Sequence, residues 1–178
     1  MDDRLRLFEI IRDRSFRQGG RFTLVSGRTS TIYFNLKPAM LDPDGARLIG
    51  AALAEKAKAL GATCISGLEM GAVPLVAAAA AMSAVAQKPL RACFIRKQAK
   101  EHGTKSLIEG LAEGEDLAGR SVVVVEDVTT TGGSAIKAIA ILRQAGALVE
   151  HAITIVDREE GATEAFAEAG ITLHPLRI

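Results

Sequence analysis

The chain is poor in the features that mark several protein classes. It has two cysteines, Cys64 and Cys93, and no Cys-x-x-Cys pair. Both sit in apolar stretches, Ala-Thr-Cys-Ile and Ala-Cys-Phe-Ile, which predicts reduced, buried thiols rather than a disulfide framework. No hydrophobic run is long enough to cross a bilayer. The nearest, Ala72 to Ala86, is mostly alanine and holds Pro74 and Ser83, short of the roughly 20 strongly apolar residues a span requires. The start, Met1-Asp2-Asp3-Arg4, carries acid where a secretory signal carries base. The expected setting is the cytoplasm, with no membrane partner.

Neither sign of charge is in excess. Lys and Arg number 22 against 21 Asp and Glu, a net charge of +1, so a basic surface for neutralising nucleic-acid phosphates is not expected. His102, His151 and His174 are scattered, which argues against a zinc site. His151 stands in a strand context and reads as structural. No G-x-x-x-x-G-K-[ST] and no G-x-G-x-x-G occurs, removing the P-loop and the dinucleotide fingerprint. Ser26 and Ser66 lie in no nucleophile-elbow pattern.

What is present is ordinary globular composition, 48% hydrophobic and 24% charged. A chain of this length buries roughly 70% of the surface its unfolded state exposes, enough for one domain spanning residues 1–178. Leu5, Leu7, Phe8, Ile10 and Ile11 recur at helical spacing and predict an amphipathic helix ending before Gly19-Gly20. Phe22–Val25 and Thr31–Asn35 are β-favouring runs around Ser26-Gly27-Arg28, a hairpin signature. Asp42-Pro43 starts a helix with Leu48, Ile49, Ala52 and Leu53 on its apolar face, closed by Gly61.

Strands and helices then alternate. Strands are expected at 63–66, 91–95, 121–125, 149–156 and 171–176, and helices after Pro74, at 134–144 and at 163–169. Val122-Val-Val-Val125 is an unbroken β-branched run, as in a central parallel strand covered on both faces. The expected class is α/β, an open, mostly parallel sheet flanked by helices. Lys97 to Gly119 breaks the pattern: polar, rich in glycine and longer than a usual connection, it reads as a lid or as a disordered span.

The chemistry concentrates in Glu126-Asp127-Val128-Thr129-Thr130-Thr131-Gly132-Gly133-Ser134, between the valine strand and a helix. Ligands of open α/β sheets bind beyond the carboxyl ends of strands, and a helix start preceded by glycines offers free N–H groups to phosphate. The threonines and Ser134 add hydroxyl donors. The acids before them suit hydroxyl groups or a hydrated Mg2+ rather than phosphate. A sugar phosphate fits that gradient.

This string resembles the phosphoribosyl pyrophosphate (PRPP) motif of the type I phosphoribosyltransferases. Two further stretches, Phe22-Thr-Leu-Val-Ser-Gly-Arg-Thr-Ser-Thr-Ile-Tyr-Phe-Asn35 and Phe94-Ile-Arg-Lys-Gln-Ala-Lys-Glu-His-Gly-Thr104, narrow the resemblance to orotate phosphoribosyltransferases. Gly67-Leu-Glu-Met-Gly-Ala-Val-Pro74 sits where that family places a pyrophosphate loop. The resemblance implies a core of about 41–178 with a small hood from residues 1–40. It implies transfer of ribose 5-phosphate from PRPP to N1 of orotate with Mg2+, giving orotidine 5′-monophosphate in pyrimidine synthesis. It also implies a homodimer with shared active sites, in which Arg96, Lys97, Lys100 and His102 reach PRPP phosphates. Glu126, Asp127, Val128, Thr129, Thr130, Thr131, Gly132, Gly133 and Ser134 would bind PRPP, with Lys100, His102 and Asp127 catalytic and Mg2+ held mainly through PRPP and water. Arg158, which by sequence reads as a surface charge beside Glu159 and Glu160, would with Thr130 bind orotate. Two positions depart from the pattern: Val25, and Glu69-Met70-Gly71, stand where many or some members carry lysine, and neither Val25 nor Met70 is expected to be a ligand. Acceptance of another nucleobase, or a non-enzymatic regulator that keeps the PRPP site, are the other readings.

Overall fold

The structure, a computed structural model, describes residues 2–23, 29–98 and 106–176. Helix α1 (Asp3–Ser15) is capped by the Asp2 carboxylate, which accepts the Arg4 amide at 3.1 Å. It buries Leu7, Ile10 and Ile11 but leaves Leu5 and Phe8 53% and 47% exposed, so the expected apolar face is narrower than the spacing suggested. The helix ends before Gly19-Gly20, as expected, with Ser15 its last residue. Strand β1 (Phe16–Thr23) follows at once and pairs antiparallel with β2 (Thr29–Phe34). Gly19, at φ +90°, sits where the register slips between Gln18 and Phe22, a bulge that lets Gly19-Gly20 lie inside a strand. Phe16 packs on Phe34 and Phe22 stacks on Tyr33 across the hairpin.

Helix α2 (Lys37–Met40) is a single turn locked by buried Leu36, Ala39 and Met40. In α3 (Pro43–Ala59), the Asp42 carboxylate accepts the amides of Asp44 and Gly45 at 3.0 Å and Pro43 opens the first turn, as its sequence predicts. Strand β3 (Cys64–Ser66) leads to α4 (Ala72–Val85), which begins two residues before Pro74. Proline is tolerated there because first-turn amides have no intrahelical acceptor.

The expected strand at 91–95 is two strands in different sheets. Strand β4 (Arg91–Ala92) pairs with β3, whereas β5 (Phe94–Ile95) pairs antiparallel with β6 (Ile108–Glu109). The segment expected as one loop over 97–119 is therefore anchored in its second half, where Leu117 is also fully buried. Strand β7 (Ser121–Thr129), helix α5 (Gly133–Gln144), strand β8 (Leu148–Asp157), helix α6 (Ala162–Glu168) and strand β9 (Thr172–Pro175) complete the chain.

The central sheet is wholly parallel, in the order β4-β3-β7-β8-β9. Strand β7 is in its middle. Val123 and Val125 join the core beneath α1, α3 and α4, while Val122 and Val124 join the one beneath α5 and α6. All four valines are buried, each contributing roughly 1.5–3 kcal/mol by leaving water. Cys64 and Cys93 are buried, free thiols with sulfurs 3.9 Å apart. Among the described residues no helix is long and apolar enough to cross a membrane.

Candidate functional site

From β3 the chain crosses to β4 on one side, and from β7 it crosses to β8 on the other. Such a reversal leaves a crevice at the carboxyl ends of the two strands where the flanking loops part. A cavity of about 410 Å³ opens there, lined by Lys37, the loop from Leu68 to Ala72, Lys97, the end of β7 from Val125 to Val128, and Ser134 and Ala135 at the start of α5.

Two glycines allow the walls to come this close. A Cβ on Gly67 would lie 2.4 Å from the Val125 carbonyl oxygen, and one on Gly71 would lie 2.8 Å from an Asp127 carboxylate oxygen. The 67–71 loop is thus pressed onto the end of β7. Its outer side is tied to β5: Glu69 donates its amide to the Ile95 carbonyl at 2.8 Å, and its carboxylate accepts the Lys97 amide at 2.9 Å. The Glu69–Met70 peptide is cis.

Strand β7 continues through the acid pair to Thr129, four residues past the apolar run. Thr129 is fully buried and donates its hydroxyl to the Glu126 carboxylate at 3.2 Å. Burial pushes the Glu126 carboxyl up to about 7 and the neighbouring Asp127 charge adds to this, while the Thr129 hydrogen bond works the other way. At neutral pH Glu126 is therefore poised between acid and carboxylate. After the strand, Gly132 adopts φ +75°, which L side chains resist, and a Cβ there would meet the Phe166 ring at 2.7 Å. This turn starts α5 without any side chain capping its first amides. Helix starts of that kind attract anions.

Of the residues singled out in the sequence, the cavity brings together Lys97, Glu126, Asp127, Val128 and Ser134. Thr130, Thr131 and Gly132 form the turn beside it, and Gly133 is the first residue of α5. Arg96 is not in that lining: its guanidinium bonds the Gln98 carbonyl at 3.1 Å and lies 3.8 Å from Glu109, and the residue lines an adjoining cavity that shares Leu68, Lys97 and Ser134 with the first. Arg158 donates its amide to the Thr129 carbonyl, which fixes it at the same edge of the sheet, and its guanidinium pairs with Glu160 at 2.8 Å. Lys100, His102 and Val25 lie outside the described residues. One charged lining residue carried no signal in the sequence, Lys37, a lone lysine before a proline, while Glu69 lies in the 67–74 stretch that the resemblance marked as a pyrophosphate loop. His151 and His174 meet at 3.3 Å on β8 and β9, apart from the cavity.

Among the described residues no group of three or more His, Cys, Asp and Glu is arranged to hold a metal ion. The oxygens of Glu126 and Asp127 at the cavity suit a hard cation that keeps most of its water and ligand oxygens, the usual habit of Mg2+.

Residues 41–168 match the family described as phosphoribosyl transferase domain. Over 173 residues, 97% of this chain and 92% of the relative, the sequence is 57% identical to an orotate phosphoribosyltransferase of Rhodopseudomonas palustris (strain BisB5). Among solved structures, orotate phosphoribosyltransferase from Mycobacterium tuberculosis in complex with Fe(III) dicitrate superposes with a TM-score of 0.83 at 36% identity, covering 97% of this chain and 94% of the other. The same enzyme in complex with PRPP gives a TM-score of 0.78 at 33% identity, again over 97% and 94%.

Proposed function

The chain belongs to the orotate phosphoribosyltransferase family, and from that premise we propose how its crevice performs the transfer of ribose 5-phosphate from PRPP to orotate. The observation that carries the proposal is the end of β7: two acids lining a cavity, followed directly by a glycine turn into an uncapped helix start. The turn from Thr130 to Ser134 and the first amides of α5 take the 5′-phosphate. Glu126 and Asp127 take the ribose hydroxyls and place negative charge beside the anomeric carbon as it becomes cationic.

The reaction needs little covalent help from the protein. Orotate N1 supplies the electron pair for the new bond to the anomeric carbon, and the bond to the diphosphate oxygen breaks with its electrons leaving on pyrophosphate. The protein holds the two reactants in line and stabilises the charges that develop. Arg158, at the carboxyl edge of the sheet, takes the orotate carboxylate by exchanging its pairing with Glu160 for a planar, bidentate one, with Thr130 beside it. Arg96, Lys97, Lys100 and His102 act on the phosphates from the segment that follows β5. Asp127 and Glu126 would hold Mg2+ through its water, and Mg2+ would supply positive charge that neutralises part of the diphosphate.

In this reading α1, the β1–β2 hairpin and α2 make a hood over the crevice, and the enzyme works as a cytoplasmic homodimer with shared sites. The experiment is orotate consumption followed by its ultraviolet absorbance, with PRPP and Mg2+ present and then each omitted. Consumption should require both. Equal turnover of uracil, which lacks the carboxylate, would overturn the assignment of Arg158, and no turnover of orotate would overturn the reading.

A further inference from the structure

The charges around the cavity do not match the ligand assigned to it. Its described lining carries three acids, Glu69, Glu126 and Asp127, against two cations, Lys37 and Lys97. PRPP brings several negative charges of its own. The α5 start, with its amides and the Ser134 hydroxyl, is furnished for one phosphate. The opposite wall, the loop from Leu68 to Ala72, contributes backbone and the Glu69 carboxylate but no cation. A diphosphate laid against that wall meets negative charge unless, beside Mg2+ and the segment after β5, another element supplies the opposite sign.

We propose that Lys37 is that element: a diphosphate-binding residue, delivered from α2, that holds the leaving group of PRPP against the 67–71 loop. This deepens the function proposed above and rests on it. Lys37 is seated rather than loose, because Leu36, Ala39 and Met40 on either side are buried and the Lys37 amide donates to the Asn35 side-chain oxygen at 3.3 Å. Its own side chain is exposed and forms no ion pair with any described acid, although Glu69 and Asp127 share its cavity. An ammonium on a flexible stem is suited to this task, since it follows the diphosphate as the bond to ribose lengthens. Binding there also joins α2 to the core loop through the ligand, which makes the N-terminal elements part of substrate recognition.

The test compares the wild type with Lys37→Met, Lys37→Gln and Lys37→Arg in steady state. Loss of one charge-assisted contact to phosphate should raise the KM for PRPP and the inhibition constant of pyrophosphate by about 10- to 100-fold. The KM for orotate should change by less than about 3-fold, and Lys37→Arg should recover most of the loss. Because the side chain is exposed, circular dichroism and melting of all three variants should match the wild type. Unchanged PRPP and pyrophosphate constants in Lys37→Met and Lys37→Gln would overturn the proposal. Titration calorimetry with magnesium pyrophosphate separates the two readings. If the wild type fails to consume orotate, the functional reading fails, yet weaker pyrophosphate binding by Lys37→Met still supports this site and equal binding overturns it.

Discussion

Replacing Glu126 by glutamine should change how stability depends on pH. The Glu126 carboxyl moves from an ordinary 4.5 to about 7, mainly by burial. Folding therefore takes up a proton at this position between those two values. The contribution is fully present below about pH 4.5 and is lost as pH rises through about 7, because the ionised group is then forced into a site that disfavours charge. A shift of that size corresponds to roughly 3 kcal/mol. Glutamine carries no charge, keeps the volume and can still accept the Thr129 hydroxyl through its carbonyl oxygen. Urea unfolding of the ligand-free protein from about pH 5 to about pH 8 reads the difference directly. Glu126→Gln should gain less than about 1 kcal/mol over the wild type at the acid end and about 3 kcal/mol at the alkaline end. For a chain of this size, about 3 kcal/mol is a rise in melting temperature of roughly 6–12 °C. Other titrating groups are common to both proteins and cancel in the difference. Parallel stability curves across the range would refute burial as the dominant influence on Glu126. The same substitution should lower turnover, because an amide cannot lend negative charge to the ribose.

Three further substitutions probe the crevice. Gly71→Ala places a methyl group 2.8 Å from an Asp127 oxygen; kcat/KM for PRPP should fall at least about tenfold while the melting temperature stays within a few degrees, and wild-type kinetics would show that the loop yields freely. Asp127→Asn should cost about 100-fold in kcat with little change in unfolding free energy, a balance that equal losses of both would contradict. Arg158→Ala should raise the KM for orotate about 10- to 100-fold and leave that for PRPP nearly unchanged, whereas equal loss for both ligands would detach Arg158 from orotate.

The parts of the fold that were legible in the sequence are those fixed by neighbours along the chain. Asp42-Pro43 caps and opens a helix through contacts two and three residues away, and four consecutive valines admit a strand buried on both faces. What local patterns missed depends on distant partners. Leu5 and Phe8 share helical spacing with Leu7 and Ile11, yet only the latter reach the core. Arg91 to Ile95 reads as one strand, but Cys93 divides it because Arg91-Ala92 pair with β3 whereas Phe94-Ile95 pair with residues 108–109. The cavity is the extreme case. Its walls come from residues 37, 68–72, 97 and 125–135, brought together only by the reversal of strand order between β3 and β7. A lysine at 37 has no spacing relationship to an aspartate at 127 from which its place could be read.

The acid pair shows how the sheet gives different properties to residues that look equivalent in sequence. Along β7, Val123 and Val125 face the core beneath α4, and Val122 and Val124 face the one beneath α5. Side chains alternate on a strand, so that order carries Asp127 toward α4, on the side of Val123 and Val125. Asp127 accordingly meets Gly71 at the loop preceding α4. Glu126 is drawn into the protein, where Thr129 is its hydrogen-bond partner. One carboxylate thus borders the loop assigned to the leaving diphosphate, and the other titrates near neutrality at the edge of the core. Because PRPP is more negative than the two cations of the described lining, Lys37 and Lys97, can balance, ionisation of Glu126 would oppose binding by charge while favouring the cationic ribose of the transition state. A group held near its midpoint can serve both stages, keeping its proton while PRPP binds and passing it to water of the cavity as positive charge develops beside it. That division of labour requires the buried hydroxyl of Thr129: Thr129→Val would remove the hydrogen bond that lowers the Glu126 pKa, raise it further, and move the pH dependence of kcat/KM to more alkaline values, whereas a loss of activity uniform across pH would assign Thr129 to packing alone.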